Sequence, residues 1–271
     1  MVKRVLAGHS SDLTSYGNGP RKGLLLHCAL AHGGVYTQLG AALGGALSLV
    51  SFDQPGHGRA ADWDGDGDLQ DRATEMALDL LTEPMDVIGH SFGATVALRL
   101  AIERPEMVRT LTVIAPVMMA IAKADHPNIA ATLKQQMSGF YQALQDEQFE
   151  SAAQMFTQNY GNGRPWDSLG KDTRQAIVDR IHLIGAGARG VNEDHYNFIG
   201  SGAFEQIKAP TLILDGCEKG EVMNVVCEGL ARRIPNSIRA CIADGGHMVP
   251  LKRPEAVARE ILQMISQSPI Q

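Results

Sequence analysis

Short apolar runs fenced by glycine, proline or charged residues recur along the chain, with helix-period stretches between them. Gly23-Leu24-Leu25-Leu26-His27-Cys28 is the first clear run; Ala46–Phe52, Met85–Ile88, Val108–Ala115, Ala209–Gly216 and Ser237–Ala243 follow. Runs this short, without polar alternation, read as strands buried on both faces, as parallel strands are. Residues 2–7 and 11–16 predict an amino-terminal hairpin turning at Gly8. Helices are expected over 36–43, 94–103, 224–233 and 254–266. Another is expected over 68–81, where Leu69, Ala73, Met76, Ala77 and Leu80 make one face and Asp68 sits at the amino-terminal cap. Strand–helix alternation predicts an α/β protein with a mostly parallel sheet covered on both faces.

The rhythm breaks at Val117. From there to Gly202 the pattern is helical, near 129–144, 148–159 and 173–186, with no strand. The chain therefore reads as a core of residues 1–116 and 203–271 interrupted by a helical insertion, 117–202. The insertion leaves the carboxyl edge of the sheet, so it is expected to form a cap over that edge, excluding water and selecting the substrate.

Composition narrows the functional classes. With 271 residues, 44% hydrophobic, the chain suits one large domain carrying an insertion. A net charge of −6 without a basic stripe argues against a nucleic-acid partner. The segment Met1–His9 is too polar for a signal peptide, and no uncharged stretch reaches membrane-spanning length; a cytoplasmic protein without a membrane partner is expected. Cys28, Cys217, Cys227 and Cys241 form no C-x-x-C pair, so they are read as reduced thiols, mostly in the core, and not as a zinc site. The alternating aspartates Asp62, Asp64, Asp66 and Asp68 suggest a calcium loop, with Glu75 in twelfth place counted from Asp64. However, the helix from Asp68 would start inside it, so a solvated loop is the better reading. Gly17-Asn18-Gly19 runs into Pro20 and not into a helix, which removes a dinucleotide fingerprint. No cofactor and no metal are expected.

One pentapeptide carries chemistry. Gly89-His90-Ser91-Phe92-Gly93 stands between an apolar strand and a helical run, the context of a nucleophile elbow. Such a turn strains the serine backbone and admits only small residues two before and two after it. It lifts the hydroxyl above the sheet edge and aims the Phe92 N–H at a bound carbonyl oxygen. A serine hydroxyl needs a base, and His247 is the strongest candidate, because the glycine-rich loop after the last strand lies at the same carboxyl edge. His27, His57 and His90 read as structural; His182 and His195 lie in the insertion.

Three segments in order resemble the α/β-hydrolase family with a helical cap: Asp53-Gln54-Pro55-Gly56-His57-Gly58, the Ser91 pentapeptide, and Gly246-His247 ahead of Arg253-Pro254-Glu255. The resemblance covers nearly the whole chain outside the insertion. It implies the α/β-hydrolase fold and ester chemistry with nucleophile, acid and histidine in that order. The family's His-Gly after the first parallel strand is His27-Cys28-Ala29-Leu30 here, so Cys28 or Ala29 would join Phe92 in the oxyanion hole. The family's acid position is occupied by Lys219. Glu221 is the first substitute, Glu218 the second and Asp215 the third; a serine–histidine dyad is the alternative. The implied activity is a serine hydrolase cleaving a small to medium carboxylic ester through an acyl-enzyme, with a small-molecule ester as its partner. Lactonase, carbon–carbon hydrolase and haloperoxidase-like chemistry on the same scaffold, or a non-catalytic ligand receptor, are the alternatives.

Overall fold

The computed structural model describes residues 2–161, 163–217 and 221–268, the last stretch without the Glu221 side chain. Among these residues the strands are β1 (Val2–Leu6), β2 (His9–Tyr16), β3 (Arg21–Leu26), β4 (Leu47–Phe52), β5 (Met85–His90), β6 (Val108–Ile114), β7 (Thr211–Asp215) and β8 (Ser237–Cys241). They form one sheet in the order β1-β2-β4-β3-β5-β6-β7-β8. The β1–β2 hairpin and the β2–β4 pair are antiparallel; every other pair is parallel. The expected hairpin and the run of parallel strands are both present.

The apolar strands split by residue parity, as a pleated strand must. Leu25, Ile88, Ile114, Leu212 and Leu214 face a core closed by α1 (Thr37–Leu43) and α13 (Pro254–Ser266). Leu24, Leu26, Val87, Val113 and Ile213 face a core closed by α2 (Leu69–Leu78), α3 (Phe92–Glu103) and α11 (Glu221–Arg233). Both faces are covered, which is why these strands are apolar without alternation. Helix α2 starts where its cap predicts: the Asp68 carboxylate accepts the Gln70 N–H at 2.8 Å.

Between β6 and β7 the chain runs through α4 (Met119–Asp125), α5 (Pro127–Gln136), α6 (Ser138–Gln145), α7 (Phe149–Tyr160), α8 (Lys171–Val178), α9 (His182–Ala186) and α10 (Ala188–Asn192), without a strand among the described residues. Met137, Phe140, Ala143, Ala152, Ala153 and Ile181 give these helices a small core of their own. The single helix expected over 129–144 is two. The break falls at Met137, beside the weak helix formers Ser138 and Gly139, and it lets α6 bury Phe140 while α5 buries none of its residues. Helix α4 escaped the periodicity because Met119 to Ala122 are all buried, leaving no polar face to mark a period. The short α12 (Val249–Lys252), opened by Pro250, also went unseen. No helix among the described residues is long and apolar enough to cross a membrane.

The amino ends of the central strands are tied by charge. Asp86, 2% exposed, accepts two bonds from Arg21 (2.8 and 2.7 Å), one from Arg109 (3.1 Å) and one from the Thr110 hydroxyl (2.9 Å). Removing the carboxylate would leave the buried Arg21 guanidinium without its counter-charge. Asp86→Ala is therefore expected to cost about 3 kcal/mol of stability, read as a lower urea midpoint; a loss below about 0.5 kcal/mol would contradict this reading of the network.

Candidate active site

The carboxyl edge of the sheet gathers the candidate residues, since Ser91 follows β5, Cys28 and Ala29 follow β3, and His247 follows β8. Ser91 has φ 56° and ψ −115°, a conformation that costs a side-chain-bearing residue of order 1–3 kcal/mol. A Cβ on Gly89 would lie 2.3 Å from the Gly93 carbonyl oxygen, and one on Gly93 would lie 2.4 Å from that of Leu26. Both glycines are thus required by backbone contact. The Ser91 N–H is held by the Ile114 carbonyl at 2.9 Å. Phe92 begins α3, so its N–H is among those with no acceptor inside the helix.

Ser91 Oγ and His247 Nε2 are 2.9 Å apart. The His247 loop lies against the end of β7, where the Gly246 N–H donates to the Gly216 carbonyl at 3.1 Å and a Cβ on Gly216 would meet Gly246 at 2.1 Å. The loop is also held from the elbow itself. The Cys28 N–H donates to the Tyr36 hydroxyl oxygen (3.2 Å), the Tyr36 hydroxyl pairs with His90 Nδ1 (2.9 Å), and His90 Nε2 pairs with the His247 carbonyl (2.8 Å). Because a carbonyl can only accept, His90 carries its proton on Nε2, and Tyr36 donates to Nδ1. The chain of bonds then runs one way, from the β3 loop through the elbow to the main chain of the candidate base. The sequence reads His90 as structural and does not single out Tyr36, whose contacts lie 8 and 54 residues away and leave no local pattern.

Of the two residues offered for the second oxyanion donor, Cys28 has its N–H committed to Tyr36, while the Ala29 N–H has no partner among the described residues. Ala29 lines the cavity beside Ser91 and Phe92, and Leu30 takes the left-handed φ of 61° that turns the loop. The Cys28 thiol is buried, and burial pushes it up to about 11, so it stays protonated.

Of the three carboxylates offered as the acid, only that of Asp215 lies among the described residues. His247 Nδ1 is buried and has no hydrogen-bond partner among the described residues. Asp215 does not reach it: one carboxylate oxygen accepts the Cys217 N–H at 2.9 Å and the other pairs with Arg239 at 3.2 Å. Glu218 and Lys219 lie outside the described residues. Glu221 is the first residue of α11, and its side chain is likewise outside them. The reading of four reduced cysteines is corrected for two of them: Cys217 and Cys241 form a disulfide, while Cys28 and Cys227 are free and buried. Sequence spacing could not suggest the pair. It arises because β7 and β8 are parallel with Asp215 opposite Cys241, which brings Cys217 alongside.

His27 and His57 brace loops. His27 Nε2 accepts the Gln54 N–H at 2.9 Å, and His57 Nδ1 lies 2.8 Å from the Pro55 carbonyl. Asp53 accepts the Gly33 and Arg59 N–H groups at 2.7 and 2.8 Å, fixing the turn that contains His57. His182 and His195 do not line the cavity at Ser91. That cavity has a volume of about 530 Å³. Ser91, Phe92, Ala29 and His247 form one wall; helices between β6 and β7 supply most of the rest, including Met137, Phe156 and Leu183. Tyr160, from α7, sets its ring edge-on to His247 with centroids 5.4 Å apart.

Residues 24–260 match a family model described as the alpha/beta hydrolase family. A pimeloyl-[acyl-carrier protein] methyl ester esterase of Nitrosomonas europaea is 35% identical over 118 residues, 44% of this chain and 46% of the relative. Lipase LipV of Mycobacterium tuberculosis is 35% identical over 103 residues, 36% of this chain and 38% of the relative. The matched stretches thus span less than half the length of either relative. Among solved structures, a thermophilic esterase from Thermogutta terrifontis superposes with a TM-score of 0.76 over 98% of both chains at 19% identity, a likeness of fold.

Burial holds four imidazoles below their ordinary value of 6.5: His27 and His57 at about 3, His90 at about 4, and His247 at about 3 with His90 as the smaller cause. The unfolded chain takes up these protons as pH falls through 6.5, while the folded chain resists until near 4 or below. Their contribution is therefore intact above 6.5 and lost as pH falls towards 4. Asp125, drawn down to about 2 by Arg233 and, less strongly, Arg232, adds to the loss only below that window. The melting temperature is expected to decline between pH 6.5 and 4; a constant value across that range would contradict the burial of these rings.

Proposed function

The chain belongs to the alpha/beta hydrolase family, and we propose that it is a serine hydrolase of carboxylic esters. The contact of Ser91 Oγ with His247 Nε2 at 2.9 Å, at the wall of an apolar cavity, is the observation that carries this reading. Ser91 attacks the ester carbonyl while His247 takes its proton, and the oxyanion is met by the Phe92 and Ala29 N–H groups. Collapse of the tetrahedral intermediate breaks the ester C–O bond. His247 returns the proton to the leaving alcohol, and an acyl group remains on Ser91. Water, deprotonated by His247, then attacks the acyl-enzyme and releases the acid. Ester hydrolysis by the curated relatives supports the reaction class.

Residues 117–202 serve as the cap in this reading, since their helices supply the far walls of the cavity and Tyr160 packs on the base. A cavity of about 530 Å³ walled by methionine, leucine and phenylalanine suits a small to medium apolar group and leaves no room for a polymer. The imidazolium formed during attack is opposed by burial, so a carboxylate at Nδ1 would speed the step; Glu221 and Glu218 are the side chains proposed for it. That Nδ1 has no partner among the described residues favours one other reading, a receptor that binds an ester and turns it over slowly or not at all.

Ser91→Ala is expected to lower kcat for p-nitrophenyl butyrate by about three orders of magnitude or more, with KM little changed. Turnover surviving in that variant would sink the serine mechanism. A wild-type protein that binds ester without turnover would support the receptor.

A further inference from the structure

We propose that the cavity is built for medium-chain apolar esters whose far end carries one negative charge, a carboxylate, met by Lys123 and Lys134. The proposal rests on the ester-hydrolase reading of Ser91 and His247 and adds the substrate class.

The two lysines stand on cavity-facing stripes. Along α5 and its carboxyl-terminal cap residue, Pro127, Ala130, Lys134 and Met137 line the cavity, spaced three, four and three apart, which is one helix face. On α4, Met119 and Lys123 both line it, four apart. Each lysine also falls in the last turn of its helix, where the macrodipole favours a cation. That preference explains a cation near the helix end but does not choose the face. Solvent-facing positions were available on α5, where no residue is buried. A lysine on the cavity stripe lays its methylene stem along the apolar wall and leaves the ammonium at the water end.

The charge around the cavity fits a monoanion. Lys123, Lys134 and Glu193 line it, which sums to one positive charge inside a chain whose net charge is −6. Asp125, on the same helix as Lys123, is already held by Arg232 and Arg233 at 2.7 Å each. Neither lysine has a carboxylate within ion-pairing distance among the described residues. An ester held at Ser91 by its carbonyl, with its chain along Met119, Ala130 and Met137, would present its far end to these ammonium groups. A neutral chain of the same length would gain the apolar contacts alone.

Two esters of equal chain length test this: the mono-p-nitrophenyl ester of suberic acid, which ends in a carboxylate, and p-nitrophenyl octanoate, which ends in a methyl group. Two exposed charge pairs are worth a few-fold each, so kcat/KM for the suberate ester is expected to exceed that for octanoate by about five- to tenfold at low salt, through KM. The ratio is expected to fall to near one in 0.5 M sodium chloride and in the Lys123→Gln/Lys134→Gln variant. A ratio at or below one, or one that salt and the double substitution leave unchanged, overturns the proposal. If neither ester is cleaved, the hydrolase reading fails and the lysine assignment is still decided by calorimetry with monomethyl suberate on Ser91→Ala. Binding weakened about fivefold or more by the double substitution supports it; binding that is absent, or indifferent to the substitution, overturns it.

Discussion

Two groups 156 residues apart in sequence must meet within a hydrogen bond for any chemistry at this site, and the architecture around the sheet's carboxyl edge serves that meeting. Ser91 is raised by a turn that only glycine can flank on both sides, because main-chain atoms of Gly93 and Leu26 occupy the space a Cβ would need. His247 is brought by a loop pressed against the end of β7. The bonds from Cys28 through Tyr36 and His90 to the His247 carbonyl tie the two loops and the β3 turn into one unit. The strain stored at Ser91 is small beside the apolar burial that encloses it, since β5 is buried at every residue and α3 is buried through its first seven.

Burial also sets the electrostatics of the site. His90 must stay neutral to accept from Tyr36 while donating to His247, and its depressed proton affinity keeps it so. His247 is likewise held neutral, the form a general base needs, yet the same burial opposes the cation formed once it has accepted a proton. The requirement for a compensating carboxylate follows from this opposition and not from family habit alone. Asp215, at the end of β7, is engaged by Arg239 and the Cys217 amide, so in the proposed mechanism any compensating carboxylate would belong to another side chain.

Much of this was legible in the order of residues, for identifiable reasons. Parallel strands buried on both faces leave apolar runs, and the elbow leaves two obligatory glycines; Asp68 announced its helix because a cap is a local contact. What escaped was non-local or lacked contrast. Helix α4 is seven residues long and buried over its whole first turn, so no period repeats. The Cys217–Cys241 pair depends on strand register. Tyr36 acts through partners on other strands, and the choice of Ala29 over Cys28 as a free donor turns on that same hydroxyl. Lys123 and Lys134 stand on different helices, α4 and α5, so only the packing of those helices brings both to one cavity.

The most direct test of the central claim is a crystal structure of the protein after reaction with a small alkyl fluorophosphonate. The expected result is phosphorus bonded to Ser91 Oγ, with the phosphoryl oxygen within about 3 Å of the Phe92 and Ala29 nitrogens and His247 Nε2 still beside Ser91 Oγ. An adduct on another side chain, or a phosphoryl oxygen turned away from both amides, would contradict it.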